Sequence, residues 1–275
     1  LYQMLRAALE ANQLDVASDA MEKILAWYPD GFAGDRALLF VGEGYLQQKD
    51  PARARQLFAR FEERFPASTR LPELRLAIAR TYEQEGNWTA AITNYDAWIG
   101  TFTNSARLPE AEFRLASATS MAGQETNALT LWTNLVVRYP DSELAPHAQW
   151  CVGLYYNGHG DPYNAEKNFL YLFSTWTNSD LACDARLMAG RAAMTRYRYK
   201  DAIGYFTELY TNAACGVDLK IEAAIRGGNA LMTWVEVPET TNRLAHLDAA
   251  LDWFESVARS FPNHPQAPAV WIRIG

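Results

Sequence analysis

Residues 38–66, LLFVGEGYLQQKDPARARQLFARFEERFP, contain the pattern that decides the fold. Two helix-length segments flank Asp50-Pro51, and the second segment ends at Phe65-Pro66. An aromatic residue followed by Pro or Thr recurs every 37 residues along the chain. The members of this row are Tyr28-Pro29, Phe65-Pro66, Phe102-Thr103, Tyr139-Pro140 and Trp176-Thr177. One spacing held over five copies predicts a repeat protein.

A second row keeps the same spacing and pairs an alanine with a large apolar residue four positions later. Its alanines are Ala17, Ala54, Ala91, Ala128, Ala165 and Ala202, followed by Met21, Phe58, Tyr95, Trp132, Phe169 and Phe206. Residues four apart lie on one face of a helix. We therefore expect the alanine where a neighbouring helix crosses closely and the large side chain beside that crossing.

Prolines, capping residues and glycines mark where the helices begin and end. Pro72, Pro109 and Pro146 stand in register at predicted first turns, where a missing N–H costs nothing. Asp50, Asn87 and Asp161 have the chemistry of helix N-caps. Breakers such as Gly86-Asn87 and Gly123-Gln124 separate the helical segments, so each unit reads as helix, tight turn, helix, longer turn.

The whole chain fits one continuous array of such units. No stretch alternates apolar and polar residues as a strand would, so the sequence predicts an all-α fold. A solenoid buries surface only between neighbours and can accommodate 275 residues without one large core. We place the units near 1–34, 35–71, 72–108, 109–145, 146–182, 183–216 and 217–264, with a partial unit from 265. The seventh has about ten extra residues in its inner turn, and we expect the array to continue past Gly275.

Composition and motifs argue against several functional classes. A formal net charge of −7 disfavours a nucleic-acid surface, and no apolar run is long enough to span a bilayer. No phosphate loop or nucleophile elbow is present, so we expect neither an enzyme nor a cofactor. His147, Cys151 and His159 lie near one another in sequence, but no further ligand completes a metal site.

The three cysteines, Cys151, Cys183 and Cys215, are too few and odd in number for a disulfide framework. We interpret them as small buried thiols. Cys183 and Cys215 are 32 residues apart and so occupy non-equivalent positions of the repeat. The sequence leaves open a contact between them in neighbouring units, which a disulfide would need.

The repeated unit resembles the tetratricopeptide pattern, Trp-x-x-Leu-Gly-x-x-Tyr, then Ala-x-x-x-Phe, then Pro. The matching positions in one copy are Leu38, Val41, Gly42, Tyr45, Ala54, Phe58 and Pro66. The resemblance implies a right-handed superhelical solenoid of antiparallel helix pairs. It also implies a non-catalytic scaffold for protein–protein interaction, with a groove lined by the first helix of each unit.

Arg64 to Ser68 and Arg138 to Ser142 carry a narrower resemblance, to bacterial envelope proteins with these repeats. The outer-membrane barrel-assembly lipoprotein and the periplasmic coordinator of the Tol-Pal system are examples. This resemblance implies a soluble periplasmic or envelope-associated scaffold. Two alternatives stay open, an accessory domain of a larger enzyme and a carbohydrate-binding envelope lipoprotein.

Two rows of residues along the first helices are the candidate partner-binding site. The first row is apolar and consists of Leu39, Leu76, Phe113, Trp150, Leu187 and Ile225. The second row is mixed and consists of Glu43, Arg80, Ser117, Leu154, Arg191 and Asn229. Together they predict a groove with an apolar floor and polar flanks for an extended peptide or an amphipathic helix, anchored by Phe113 and Trp150. Alternatively, the apolar row packs against the adjacent unit. An apolar floor also disfavours a clamp for a partner's terminal carboxylate.

Overall fold

The computed structural model describes residues 1–28, 33–237, 240–265 and 270, and within these residues the chain is helical without strands. The helices are α1 Tyr2–Glu10, α2 Leu14–Trp27, α3 Gly34–Gln47, α4 Pro51–Arg64, α5 Leu71–Gln84, α6 Trp88–Thr101, α7 Leu108–Met121, α8 Glu125–Arg138, α9 Ala145–Gly158, α10 Pro162–Thr175, α11 Ala182–Thr195, α12 Tyr199–Thr211, α13 Val217–Val235 and α14 Arg243–Ser260. The predicted all-α repeat fold is confirmed. Pro29 and nearly all of the partial unit from residue 265 lie outside the described residues.

The helix starts follow the sequence period. The first helices α3, α5, α7, α9 and α11 begin 37 residues apart, and so do the second helices from α4 to α12. Asp50, Asn87 and Asp161 each accept a hydrogen bond from the backbone N–H three residues on, at 3.1, 3.2 and 3.0 Å. Pro72, Pro109 and Pro146 stand in the first turn of their helices. These predicted helix boundaries are confirmed.

The alanine row lies at the helix crossings, as predicted. All six alanines are fully buried, and so are Phe58, Tyr95, Phe169 and Phe206 of the aromatic row. The rings press against glycines of the preceding helix. A Cβ on Gly42, Gly153 or Gly190 would lie only 2.3, 2.5 and 2.4 Å from the facing ring carbon. Glycine at these positions therefore lets the paired helices approach closely.

The chain forms two compact units, Leu1–Leu131 and Trp132–Gly275, here called the N-terminal unit and the C-terminal unit. In the N-terminal unit each helix from α1 to α7 packs against the next. The first helices of successive repeats also touch, because α3 contacts both α1 and α5. In the C-terminal unit α9 to α14 pack in the same sequential way, and α11 also contacts α13. A single uninterrupted array from residue 1 to 275 stays a prediction.

The seventh repeat differs from the expectation that its extra residues fill a turn. Much of the added length extends the helices, because α13 has 19 residues where α11 has 14, and α14 has 18 where α12 has 13. Trp234, in the added part of α13, stacks on Tyr199 at 6.2 Å and on His246 at 4.4 Å between ring centroids. This aromatic packing buries part of the added turn of α13 against α12 and α14.

The interpretation of all three cysteines as free thiols is wrong for two of them. Cys183 in α11 and Cys215 just before α13 form a disulfide, with Cα atoms 5.7 Å apart. The bond joins the start of α11 to the segment just before α13, across the unit placed at 183–216. Cys151 is a half-buried free thiol. No helix among the described residues is long and apolar enough to cross a membrane.

Candidate partner-binding surfaces

In the N-terminal unit, the apolar row is largely part of the core. Leu39 and Leu76 are 0% and 1% exposed, respectively, and Phe113 is half-buried. The two leucines therefore pack between helices, as the alternative interpretation of the row expected, and offer no side-chain surface to a partner. Their burial comes from neighbouring helices, which spacing within one helix does not report.

The polar row of the N-terminal unit is occupied by its own ion pairs. Arg80 lies 4.0 Å from Glu43, and Arg114 lies 3.2 Å from Glu83 and 3.3 Å from Glu110. Burial raises the pKa of the Glu43 and Glu83 carboxyls above the ordinary value. Ser117 donates its hydroxyl to the Phe113 carbonyl at 2.9 Å. The charged and polar side chains of the predicted flank thus already have partners within the N-terminal unit.

In the C-terminal unit, the same rows present more surface. Trp150 is half-buried, with its ring 5.2 Å from that of Phe169, and Ile225 is half-buried. Leu187 is buried. Leu154 is 40% exposed, Arg191 is exposed and Asn229 is half-buried. A mixed apolar and polar surface therefore runs along α9, α11 and α13.

Arg191 and Asn229 meet in a small pocket between α11 and α13. The pocket has a volume of about 250 Å³ and is lined by Arg191, Met194, Thr195, Phe206, Arg226 and Asn229. Arg226 is paired with Glu222 at 2.7 Å. The Arg191 guanidinium lies 3.4 Å from the Met188 sulfur, and no described carboxylate forms an ion pair with it. The pocket therefore combines an unneutralised cation with an apolar wall.

Arg226, Met194 and Thr195 are not on either of the predicted rows. Met194 and Thr195 follow Arg191 by three and four residues, so they share its helix face. Arg226 directly follows the predicted Ile225. Tracing one row at fixed spacing finds one residue per helix, whereas the pocket uses neighbouring rows as well. A search at i+3 and i+4 from each candidate could have found the α11 residues.

The pocket chemistry suits an anionic group beside an apolar one. Two guanidinium groups and a carboxamide can donate charge-assisted and neutral hydrogen bonds to a carboxylate. Met194 and Phe206 supply apolar contacts. The apolar row itself disfavours a carboxylate, but this pocket lies beside that row and supplies the donors that the row lacks.

The histidines and Cys151 do not assemble into a metal site in the described part of the chain, where no group of three His, Cys, Asp or Glu side chains could hold an ion. The His159 ring stacks on Tyr155, and its Nδ1 lies 2.8 Å from the Tyr155 carbonyl oxygen. His147 Nδ1 lies 3.1 Å from the Glu143 carbonyl oxygen. Each ring nitrogen thus lies close to the backbone carbonyl oxygen of the residue four positions earlier.

Two segments match the family model of the tetratricopeptide repeat, residues 36–68 and 110–142. The first includes the segment quoted at the outset, and the second lies two periods further along. No curated protein sequence matches the chain. The chain therefore contains tetratricopeptide repeats, while the narrower resemblance to envelope proteins stays a prediction.

Solved structures share the fold at low sequence identity. The C-terminal part of a tetratricopeptide protein from Cytophaga hutchinsonii has a TM-score of 0.66 at 13% identity, covering 98% of this chain and 99% of that one. A tetratricopeptide protein from Parabacteroides merdae has a TM-score of 0.54 at 12% identity, covering 98% and 96%. PilF of Pseudomonas aeruginosa has a TM-score of 0.53 at 13% identity, covering 87% and 97%.

The two matched segments and the shared all-α fold indicate a protein built on tetratricopeptide-like repeats. Such repeat arrays present extended surfaces that are used for protein–protein interaction.

Proposed function

We propose that this protein is a non-catalytic scaffold that binds a segment of a partner protein along α9, α11 and α13 of the C-terminal unit. The observation that carries the proposal is the pocket of Arg191, Arg226 and Asn229, in which Arg191 forms no ion pair with a described carboxylate. The partner segment that fits is acidic and partly apolar. Trp150 and Leu154 on α9 supply apolar surface for its remaining side chains.

The contrast between the two units supports this location. In the N-terminal unit the equivalent Glu43 and Arg80 neutralise each other and the apolar row is mostly buried. An incoming carboxylate would have to displace an existing partner there. At Arg191 it displaces none of the described carboxylates, so the desolvation of the cation is better compensated on binding.

The test is affinity capture from the source cell with the full chain immobilised, quantified by mass spectrometry. Arg191→Glu and Trp150→Ala should each lower the recovery of the same partner at least ten-fold. Lys200→Glu makes the same charge change at an exposed site on α12 and should recover the partner fully. An unchanged set of captured proteins with folded Arg191→Glu would overturn the proposal, and so would capture of no specific protein by wild type.

We also propose that the scaffold works in an oxidising compartment, in keeping with the envelope and periplasm predicted above. The Cys183–Cys215 disulfide supports this location, because such bonds persist in oxidising environments and are rare in the reducing cytosol. Acid quenching of source cells, alkylation and mass spectrometry should find this pair oxidised. A fully reduced pair in rapidly quenched cells would contradict the location and leave the binding proposal intact.

A further inference from the structure

The first helices of the N-terminal unit carry a cluster of charged side chains that lies apart from the proposed partner site of the C-terminal unit. It contains four carboxylates and four guanidinium groups from three successive repeats, and is here called the N-terminal charge cluster. Its members are Glu43, Arg70, Glu73, Arg80, Glu83, Arg107, Glu110 and Arg114. With every member ionised, the positive and negative charges are equal in number.

The cations of the cluster are unevenly shared among the carboxylates. Arg114 serves two of them, because it lies 3.2 Å from Glu83 and 3.3 Å from Glu110. Glu43 reaches only Arg80 among the described residues, and the distance of 4.0 Å is long for an ion pair. Glu43 and Glu83 therefore have weaker compensation than a carboxylate with its own close guanidinium group.

Both of these carboxylates are also partly removed from water. The side chain of Glu43 is 29% exposed and that of Glu83 is 21% exposed. Burial disfavours the ionised form of a carboxyl, and a like charge nearby does the same. Burial is the main cause that raises the pKa of both carboxyls, and the neighbouring Glu73 raises the pKa of Glu43 further.

The charges that face the two carboxyls come from several helices. Glu73 and Arg80 of α5 act on Glu43, together with Arg107 and Glu110 at the start of α7. Arg80, Arg114 of α7 and the Tyr95 hydroxyl of α6 act on Glu83. Burial, and then Glu83, raise the pKa of that hydroxyl, which therefore stays protonated. Charged residues of α1, α2 and α4 form pairs outside the cluster, and examples are Arg6–Glu10, Lys23–Asp19, Arg60–Glu22 and Arg55–Glu85.

We propose that the N-terminal charge cluster acts as a pH-sensitive switch, whose contribution to the stability of the N-terminal unit is greater in mild acid than at neutral pH. At neutral pH, Glu43 and Glu83 are ionised with incomplete compensation, a cost that the hydrated unfolded chain does not have. As the pH falls, each carboxylate takes a proton from solvent and this cost disappears. Four guanidinium groups then face only two carboxylates, so the surface of these first helices also becomes cationic.

The direction is opposite to that of a well-paired carboxylate. A carboxyl whose pKa is raised by folding stabilises the folded state below the pKa of the unfolded chain, about 4.3. This contribution is lost as the pH rises through the higher pKa of the folded state. Glu22 shows the contrasting case, because its hydrogen bonds with Arg60 lower its pKa and its contribution is lost in acid. The cluster thus offsets part of the acid destabilisation that such pairs cause.

Urea denaturation of the full chain between pH 4.5 and 7.5, followed by circular dichroism, tests this inference. The variant combines Glu43→Gln with Glu83→Gln, because glutamine imitates a protonated carboxyl of nearly the same size. It should have a higher urea midpoint than wild type at pH 7.5, and the difference should be at least two-fold smaller at pH 4.5. Glu63→Gln removes the same charge at an exposed site of α4 and should not show this pH-dependent gain.

A second measurement on wild type keeps the test decisive if the double variant does not fold. Carbon-13 NMR follows the glutamate carboxyl resonances, and the single variants identify those of Glu43 and Glu83. Both should titrate at a higher pH than the carboxyl of a short glutamate peptide. Titration of both at or below the peptide value would overturn the inference. A midpoint difference that is constant from pH 4.5 to 7.5 would also overturn it, since packing of the glutamines alone would explain such a result.

Discussion

In the first six repeats, one residue of each inner turn adopts a left-handed backbone conformation. The residues are Asn12, Lys49, Gly86, Gly123, Gly160 and Tyr197, all 37 apart, with φ between 57° and 79°. Glycine adopts this conformation freely, whereas other residues are strained by their Cβ. Lys49 and Tyr197 therefore occupy positions where the repeat geometry favours glycine.

Lys49→Gly should stabilise the protein, because it relieves the strained φ of 61°. The expected gain in the free energy of unfolding is about 1 kcal/mol, measured by urea denaturation followed by circular dichroism. The reverse change at the equivalent turn, Gly86→Ala, should destabilise by a similar amount, although a Cβ there would meet nothing within 4 Å. A loss of stability in Lys49→Gly would show that the lysine side chain matters more than the backbone.

Cys151 should react slowly with alkylating reagents. Burial raises the pKa of its thiol to about 11, so the reactive thiolate is scarce at pH 8. We expect iodoacetamide to modify the native protein about a hundred-fold more slowly than it modifies a free model thiol. The rate should rise about ten-fold per pH unit between pH 7.5 and 9, as the thiolate fraction grows. Modification at the model-thiol rate would contradict this assignment, and Cys151→Ser provides the blank.

At the scale of the element, each repeat depends on a close crossing between its two helices. Gly153 of α9 faces Phe169 of α10, and Gly190 of α11 faces Phe206 of α12. In the third repeat, Ala79 stands in the glycine position and shares a core with Tyr95. The crossing of the third repeat thus holds a methyl group where the other crossings hold glycine.

Gly153→Ala should destabilise the protein by about 1–3 kcal/mol, because the added Cβ overlaps the fully buried Phe169 ring. Gly204→Ala is the matched control, since Gly204 lies in the exposed interior of α12 with nothing within 4 Å of the new atom. That variant should gain about 0.5–1 kcal/mol from helix propensity. Thermal unfolding of both proteins checks the pair, and equal shifts would contradict the crossing geometry.

The disulfide should be a main stabilising link between α11 and α13. Its sequence separation of 32 implies a contribution of roughly 3–4 kcal/mol from the restricted unfolded chain. Cys183→Ala with Cys215→Ala should lower the urea midpoint, and dithiothreitol should lower it in wild type but not in this variant. Cys151→Ala should respond to dithiothreitol as wild type does. Three reactive thiols in denatured, unreduced wild type would contradict the pairing.

Local features explain why much of the fold follows from the sequence and some does not. The start of a helix is fixed by residues at that same point of the sequence, such as Asp50, Asn87 and Pro72. Their roles can therefore be predicted from the sequence alone. The Cys183–Cys215 bond joins α11 to the segment before α13, and the Trp234 stack joins α13 to Tyr199 of α12. Both connect non-equivalent positions of the repeat, which a period cannot reveal. The serines that accept backbone N–H bonds in the outer turns keep the period but are not among the predicted capping residues. They are Ser68, Ser105, Ser142 and Ser179.

For the whole molecule, the candidate site could likewise be predicted only in part from the sequence. Spacing selects which residues recur on the first helices, but neighbours decide which of them are exposed. Leu39 and Trp150 occupy equivalent positions three repeats apart, yet Leu39 is fully buried and Trp150 is half-buried. The Arg191 pocket combines residues of three helices, so no single row predicts it.

Because each helix mainly packs against its neighbours in sequence, local damage should stay local. Phe58→Ala removes a fully buried ring in the N-terminal unit, and Phe206→Ala removes the equivalent ring in the C-terminal unit. Each change should cost about 3–5 kcal/mol in its own repeat. Hydrogen exchange with mass spectrometry should then show faster exchange in α3 to α5 for the first variant.

The reciprocal variant makes this test specific. Phe206→Ala should accelerate exchange in α11 to α13 and leave α3 to α5 at the wild-type rate, whereas Phe58→Ala should leave α11 to α13 unchanged. The opening free energies of distant helices depend on their own contacts, so they have no reason to change. Equal acceleration of every helix by either substitution would mean that the chain unfolds as one cooperative body. In that case, binding at the Arg191 pocket would stabilise α3 to α5 as strongly as α11 to α13.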